Sequence, residues 1–286
     1  MNVLPEPPVE SLSTPENWLR HVAARSVLQR VTCTFEAHGI AVLPVKGIVT
    51  ACVLYEDCAL RPLGDIDIRI SRRDFRRAIQ LAEALGWKPR TDAPTLWTAT
   101  LKLDSWEVDI EGTLGPPGLC ALSVDDLLSR AESHVEPLGF EHRRPELNDH
   151  ALILVINAFK DGLRLLPWAA EDLRRIVCHK RFDPDTLIAR ARQARLLSAL
   201  WIVADWLATN HGVSDWRVVC DRLGPEPQNK RVTSFYRFAQ GLQWPPKMGL
   251  VTIACGSDSD ARCVAGLAFA AAGVARRRVL RALTRR

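Results

Sequence analysis

Long apolar runs are absent. No stretch of this 286-residue chain approaches the roughly 18 uninterrupted apolar residues of a membrane-spanning helix. The N-terminus, MNVLPEPPVESLSTPENW, has neither the basic start nor the apolar run of a secretion signal, so a cytoplasmic address is the default expectation. Eight cysteines (Cys33, Cys52, Cys58, Cys120, Cys178, Cys220, Cys255, Cys263) are scattered with no C-x-x-C pair. A zinc site needs tighter clustering and a disulfide framework belongs to short secreted chains, so reduced, small, buried thiols are expected, Cys178 beside His179 included. There is no P-loop, no kinase loop set and no internal repeat.

The charge balance is also unremarkable, at a formal +5, which does not by itself argue for a nucleic-acid partner. Its distribution is uneven. The last eleven residues, RRRVLRALTRR, carry six arginines: Arg276, Arg277, Arg278, Arg281, Arg285 and Arg286. A solvated helix end, where cations complement the helix dipole, is the preferred reading, and contact with RNA or an anionic membrane the sharper one. With 47% apolar and 25% charged residues, the chain has the composition of a soluble globular protein and the length for one large domain or two small ones.

Periodicity places the elements. Residues 17–40 have helical apolar spacing through Leu19, Val22, Val27 and Val31, ending near Gly39. A short buried strand over 40–45 leads into Lys46-Gly47 and a second helix, then a strand over about 64–70. Ser71 and Asp74 give a capping-box-like start to a helix over 72–85, with Phe75, Ala78, Ile79, Ala82 and Leu85 as its core stripe. Runs over 95–103 and 105–114, broken at Asp104–Ser105, predict a hairpin. Beyond Pro116-Pro117 come a helix over 123–131, a small hairpin over 134–144, and then almost only helical patterns, including a continuous one over 184–210. Trp168, Trp201 and Trp206 fall here and are assigned to core packing. The fold expectation is α+β: a disordered or loosely packed 1–16, a mixed sheet with flanking helices over 17–118, and a mainly helical domain over 119–286 with a basic C-terminal tail.

The stretch RPLGDIDIRI (61–70) carries the chemistry. On a strand Ile66, Ile68 and Ile70 share one face and Asp65 and Asp67 the other. Two like charges side by side repel and raise each other's pKa unless a cation neutralises them. Arg69 shares their face and offers a salt-bridge network, but a surface ion pair contributes little and would not require both acids. A divalent metal explains the pair better, since Mg²⁺ takes hard oxygen ligands from carboxylates together with substrate phosphates. A third acid, Asp109 in WEVDIEG, lies between Val108 and Ile110 on a further strand, and three acids from two strands can hold two ions across a phosphoryl displacement. Glu107 and Glu111 share its face, so the residues alone leave the third member open. Lys46-Gly47 at a strand-to-helix turn would bring backbone N–H groups and a point charge to phosphate oxygens.

At these residues the chain resembles the nucleotidyltransferase superfamily of the DNA polymerase β-like catalytic fold: Val45-Lys46-Gly47, then Asp65-Ile66-Asp67, then Asp109. More closely it resembles the bacterial uncharacterised nucleotidyltransferase family, with its Arg-x-x-x-Asp-x-Asp strand (Arg61 to Asp67), the following Ala84-Leu85-Gly86, and a looser helical motif read at Asn157-Ala158-Phe159-Lys160-Asp161-Gly162, Leu165, Trp168 and Asp172. Ile48, Glu111 and Asn157 depart from the family pattern. The resemblance selects Asp109 over Glu111 and implies an enzyme that moves an NMP from an NTP, expected to be ATP, to an unidentified small molecule, RNA or protein, releasing pyrophosphate. It implies Mg²⁺ or Mn²⁺ held by Asp65, Asp67 and Asp109, these three being catalytic, and nucleotide contacts from Lys46, Gly47, Arg61 and Lys160. Asp172 could face the same cleft. RNA could also engage the basic tail. The alternatives are a catalytically silent module of the same shape that binds nucleotide, RNA or a protein, and, ranked lowest, an enzyme of γ-phosphoryl transfer.

Overall fold

The computed structural model describes residues 14–89, 97–163, 167–224, 234 and 256–268. The N-terminal segment 1–13, the first residues of the 95–103 run, Leu165, Cys255 and the Arg-rich C-terminus lie outside the described residues.

Helix α1 (Pro15–Ala37) begins on Thr14, whose hydroxyl accepts the N–H of Asn17 at 3.1 Å, with proline in its first turn, and it stops before Gly39, at φ +70°. Its core stripe is Ala24, Val27, Leu28, Val31 and Phe35, whereas Leu19 and Val22 are 60% and 47% exposed. That corrects the expected stripe. The protein-facing residues of the first turns are Arg20 and His21, which are spent on backbone carbonyls described below.

The strands β1 (Val42–Val45), β2 (Ile66–Ile70), β3 (Lys88–Pro89), β4 (Thr98–Leu103) and β5 (Trp106–Glu111) form one mixed sheet in the order β1-β2-β5-β4-β3. Only β2 and β5 run parallel. Between them lie α2 (Gly47–Leu54) and α3 (Arg72–Ala84). The β4–β5 hairpin closes through Asp104–Ser105, with Leu103 opposite Trp106 and Asp104 at φ 53°. Ile66, Ile68, Ile70, Val108, Ile110 and Leu101 pack in one core with the α1 stripe and with Phe75, Ala78 and Ala82 of α3. Alternation then sends Asp67, Arg69, Asp109 and Glu111 to the opposite face.

Ser71 stands at the N-cap of α3 but makes no side-chain cap. Its hydroxyl donates instead to Asp125 at 3.0 Å, on α4 (Val124–Arg130), and a complete capping box occurs one helix later at Ser123 and Asp126. A two-stranded pair, β6 (Glu132–His134) with β7 (His142–Arg144), precedes α5 (Leu147–Lys160), α6 (Pro167–Val177), α7 (Pro184–Ala194), α8 (Leu197–Asn210) and α9 (Arg217–Leu223). The continuous helical pattern over 184–210 is therefore two helices. Arg195 takes the left-handed conformation at φ 59°, ψ 43°, and Leu196 N–H closes on the Ala191 carbonyl at 2.8 Å, a helix-ending turn usually made with glycine. The missing cap of α8 comes from far along the chain, where Asp258 accepts the Leu197 N–H at 2.5 Å.

The residues divide into two compact units. One draws on Met1–Thr113, Ser123–Ile153 and Leu166–Phe182, the other on Leu114–Leu122, Leu154–Leu165 and Asp183–Arg286. The sheet, α1 to α4 and α6 belong to the first.

Candidate active site

The parallel register of β2 and β5 sets Asp67 directly opposite Asp109. Neighbouring strands lie about 4.8 Å apart, so the two carboxylates leave the same face of the sheet side by side. Asp67 is buried, and Asp109 is half-buried with Thr100 of β4 as its own register partner. The Thr100 hydroxyl donates to Asp109 Oδ1 at 2.5 Å. Loss of water holds the Asp109 carboxyl above the usual range; the Thr100 bond opposes this, the Asp67 and Glu111 charges add to it, and Lys46 opposes it. Asp65 stands exposed just before β2. Its carboxyl is also raised, first by desolvation and then by Asp67 and Asp109, with Lys46 pulling the other way. The three acids thus form one electrostatic set in which Lys46 is the shared counter-charge.

Lys46 earns that position through its backbone. Val45 pairs with Asp67, so the residue after Val45 emerges beside that carboxylate. Its Nζ donates to Asp67 Oδ1 at 2.7 Å, and both side chains are largely buried. The backbone at Lys46 sits at φ 51°, ψ −142°, a strained region for a residue with a Cβ, costing about 1–3 kcal/mol. The strain thus falls on the lysine and not on Gly47, where an added Cβ would meet only ordinary contacts, the nearest at 3.5 Å. Gly47 opens α2, an eight-residue helix whose first N–H groups are the natural site for an anion. Ile48, which follows, is buried in the core.

Glu111 does not join the acids. It pairs with Arg69 Nη2 at 2.9 Å, two register positions along from Asp67 and Asp109. The salt-bridge network considered from the sequence therefore forms between Arg69 and Glu111, not between Arg69 and the aspartates. Arg69 is itself buried, and its Nε and Nη1 have no hydrogen-bond partner among the described residues.

Arg61 is occupied by structural bonds. Its Nε donates to both Oδ atoms of Asp172 at 3.1 Å, its Nη2 to Oδ2 at 2.9 Å, and its Nη1 to the Pro62 carbonyl at 2.8 Å. Tyr55 donates to Asp172 Oδ1 at 2.8 Å. Burial pushes the Asp172 carboxyl up while Arg61 and Tyr55 hold it down. On the other side of the same segment, Arg20 donates twice to the Leu63 carbonyl, at 3.1 and 2.9 Å, and the His21 ring Nε2 meets the Arg61 carbonyl at 2.8 Å. The backbone over 61–64 that delivers Asp65 and Asp67 is thereby held from α1 and from α6. Lys160 ends α5 in the other unit, with its Nζ 4.0 Å from Asp161.

The donor set is all carboxylate oxygen, which suits a hard divalent cation such as Mg²⁺, and it already attracts a cation in Lys46. As they stand, however, no three His, Cys, Asp or Glu side chains among the described residues are close enough together to hold an ion. Thr100, Arg20, His21 and Tyr55 were not singled out from the sequence. Strand parity over 98–103 could have found Thr100, while the other three act across long separations that carry no local signal.

A family model described as uncharacterised nucleotidyltransferase matches residues 2–210. Two solved structures are similar at low identity. The crystal structure of ANT(2")-Ia in complex with adenylyl-2"-tobramycin overlays with a TM-score of 0.44 at 12% identity, over 59% of this chain and 95% of that one. The solution structure of the antibiotic-resistance factor ANT(2'')-Ia gives 0.43 at 11% identity, over 78% and 98%. No curated protein matches the chain. No helix among the described residues is long and apolar enough to cross a membrane.

Proposed function

We propose, for a chain that belongs to the uncharacterised nucleotidyltransferase family and is a nucleotidyltransferase, that an NMP is moved from an NTP, ATP in the first instance, to an acceptor hydroxyl or amine at the Asp65–Asp67–Asp109 face. The observation that carries this reading is the facing of Asp67 and Asp109 on adjacent parallel strands, with the N-terminus of α2 at the same place. The acceptor attacks the α-phosphorus, the bond to the β-phosphate oxygen breaks, and pyrophosphate leaves. Gly47 and the N-terminal N–H groups of α2, with Lys46, bind the β- and γ-phosphates. Asp65, Asp67 and Asp109 would hold Mg²⁺ or Mn²⁺, which when bound supplies charge stabilisation at the attacking and leaving oxygens. Asp109, oriented by the Thr100 hydroxyl that donates to its Oδ1, would also assist deprotonation of the acceptor. Arg61 contributes by holding the 61–64 segment. A nucleotide contact from Lys160 rests on the family resemblance alone. The acceptor is a small molecule, an RNA or a protein.

The test is the Asp65→Ala, Asp67→Asn double variant incubated with each α-labelled NTP and a cell extract. Transfer of label should vanish while circular dichroism and melting stay near wild type. Undiminished transfer would remove the proposed site.

One observation favours a second reading, a silent module of the same fold: Lys46 already neutralises Asp67, and the described acids do not close around an ion. A Mn²⁺ titration separates the two, since an active site binds the ion more tightly with an NTP present and a silent one does not.

A further inference from the structure

Lys46 raises a specific difficulty for a metal-dependent site. Its ammonium stands 2.7 Å from Asp67 Oδ1, where a divalent ion would need that carboxylate, and its side chain is 13% exposed against 6% for Asp67. A contact so shielded from water is not swept away by solvent or salt. The lysine that makes it also sits in a strained backbone conformation. The three acids carry three negative charges and Lys46 is the positive charge that opposes the elevation of both Asp65 and Asp109. Arg69, the cation next along β2 on that face, is taken by Glu111.

We propose that Lys46 is the resident counter-ion of the acidic set, occupying Asp67 until a triphosphate draws its ammonium away, so that the site takes metal together with nucleotide and not metal alone. This rests on the nucleotidyltransferase reading above. The residue has two partners of like chemistry within reach of one flexible four-carbon stem: a carboxylate on β2, and any anion seated at the N-terminus of α2, the helix that begins at the next residue. A triphosphate there offers more negative charge than one carboxylate. Moving the ammonium to it uncovers Asp67 and removes a positive charge from the place a divalent cation must enter. Nucleotide and metal each favour the other's binding, and by linkage the coupling is the same in both directions. With Lys46 in place, Asp67 has the geometry of a salt bridge and the three acids do not close around an ion.

The experiment measures Mn²⁺ binding by electron paramagnetic resonance, without nucleotide and with a non-hydrolysable α,β-methylene ATP analogue, in wild type, Lys46→Met and Lys46→Arg. In wild type the analogue should tighten Mn²⁺ binding roughly tenfold or more beyond the analogue's own affinity for Mn²⁺. Lys46→Met should bind Mn²⁺ without nucleotide roughly tenfold more tightly than wild type, and the gain from the analogue should shrink. Lys46→Arg keeps the charge and should keep the weak nucleotide-free binding, which guards against a folding artefact in the methionine variant. Nucleotide-free affinity that is unchanged or weaker in Lys46→Met overturns the proposal. Absence of Mn²⁺ binding to wild type even with the analogue instead overturns the metal-dependent reading itself, and Asp67→Asn, which should abolish binding in both conditions, checks that the ion counted is the one at this face.

Discussion

Replacing Asp172 by alanine is the perturbation whose cost the structure defines most sharply. The residue is 1% exposed and its carboxylate accepts three contacts from Arg61, itself 8% exposed, and one from Tyr55. Removing one member of a buried ion pair costs about 3–5 kcal/mol, because the surviving charge stays out of water without a partner. The orphaned Tyr55 hydroxyl adds about 1 kcal/mol. Against a typical total of about 5–15 kcal/mol, that is a large share of the stability. Urea is the denaturant of choice, since it does not screen charge, and tryptophan fluorescence follows the transition. Asp172→Ala should lower stability by about 4 kcal/mol, and Arg61→Met by a comparable amount. The double variant should cost little more than either single one, because the second substitution removes the charge that the first left stranded. A loss below about 1 kcal/mol, or a double variant equal to the sum of the singles, would refute the reasoning. The same variants bear on function, because the pair anchors the backbone that presents Asp65 and Asp67.

His150 is buried, with its Nε2 on the Thr50 hydroxyl at 2.9 Å, and burial, then the charges of Arg61 and Arg144, push it down to about 3 from an ordinary 6.5. Between those values the unfolded chain carries a proton that the folded one does not, so its contribution is fully present above pH 6.5 and is lost on acidification, by up to about 1.4 kcal/mol per pH unit. Stability measured from about pH 7 to pH 5 should fall more steeply in wild type than in His150→Gln, and equal slopes would show that this ring is not the group responsible. Arg195→Gly should raise stability by about 0.5–1 kcal/mol in the same urea assay, since glycine takes the left-handed turn between α7 and α8 without strain; a loss would mean that the arginine side chain contributes more than its backbone costs.

Where sequence reasoning worked, it worked on periodicity. The period-2 isoleucines of β2, the alternating run of β5 and the stripe of α3 each mark a face that must meet the core, and the core accordingly gathers those residues. The expected α+β class and the longer elements over 17–144 followed from the same signal, whereas β3, two residues long, is too short to carry a period and was missed. It failed where geometry departs from pattern. Nothing in the run over 184–210 announces a break, because Arg195 takes a conformation the sequence reserves for glycine. The stripe of α1 was misplaced for a related reason: its first turns meet backbone carbonyls, and Arg20 and His21 serve that contact where an apolar pattern would predict Leu19 and Val22. Ser71 had the spacing of a cap and a better partner in Asp125.

The candidate site divides along the same line. Which acids share a face is a matter of parity, readable from RPLGDIDIRI and WEVDIEG. Which of them stand opposite one another is a matter of register, and register between β2 and β5, a parallel pair separated by a helix and two strands, is set by the packing of Ile66, Ile68, Val108 and Ile110 on the core side. The choice between Asp109 and Glu111 then reduces to one further contact. Parity gives both residues the same face, but register puts Asp109 beside Asp67 and Glu111 beside Arg69, and a half-buried carboxylate within 2.9 Å of a guanidinium is already neutralised. Asp109 has no such cation of its own beyond the shared Lys46. Asp65 and Asp109 share Lys46 as their counter-charge while its ammonium bonds Asp67, so on the proposed reading a divalent cation competes with the lysine for that carboxylate.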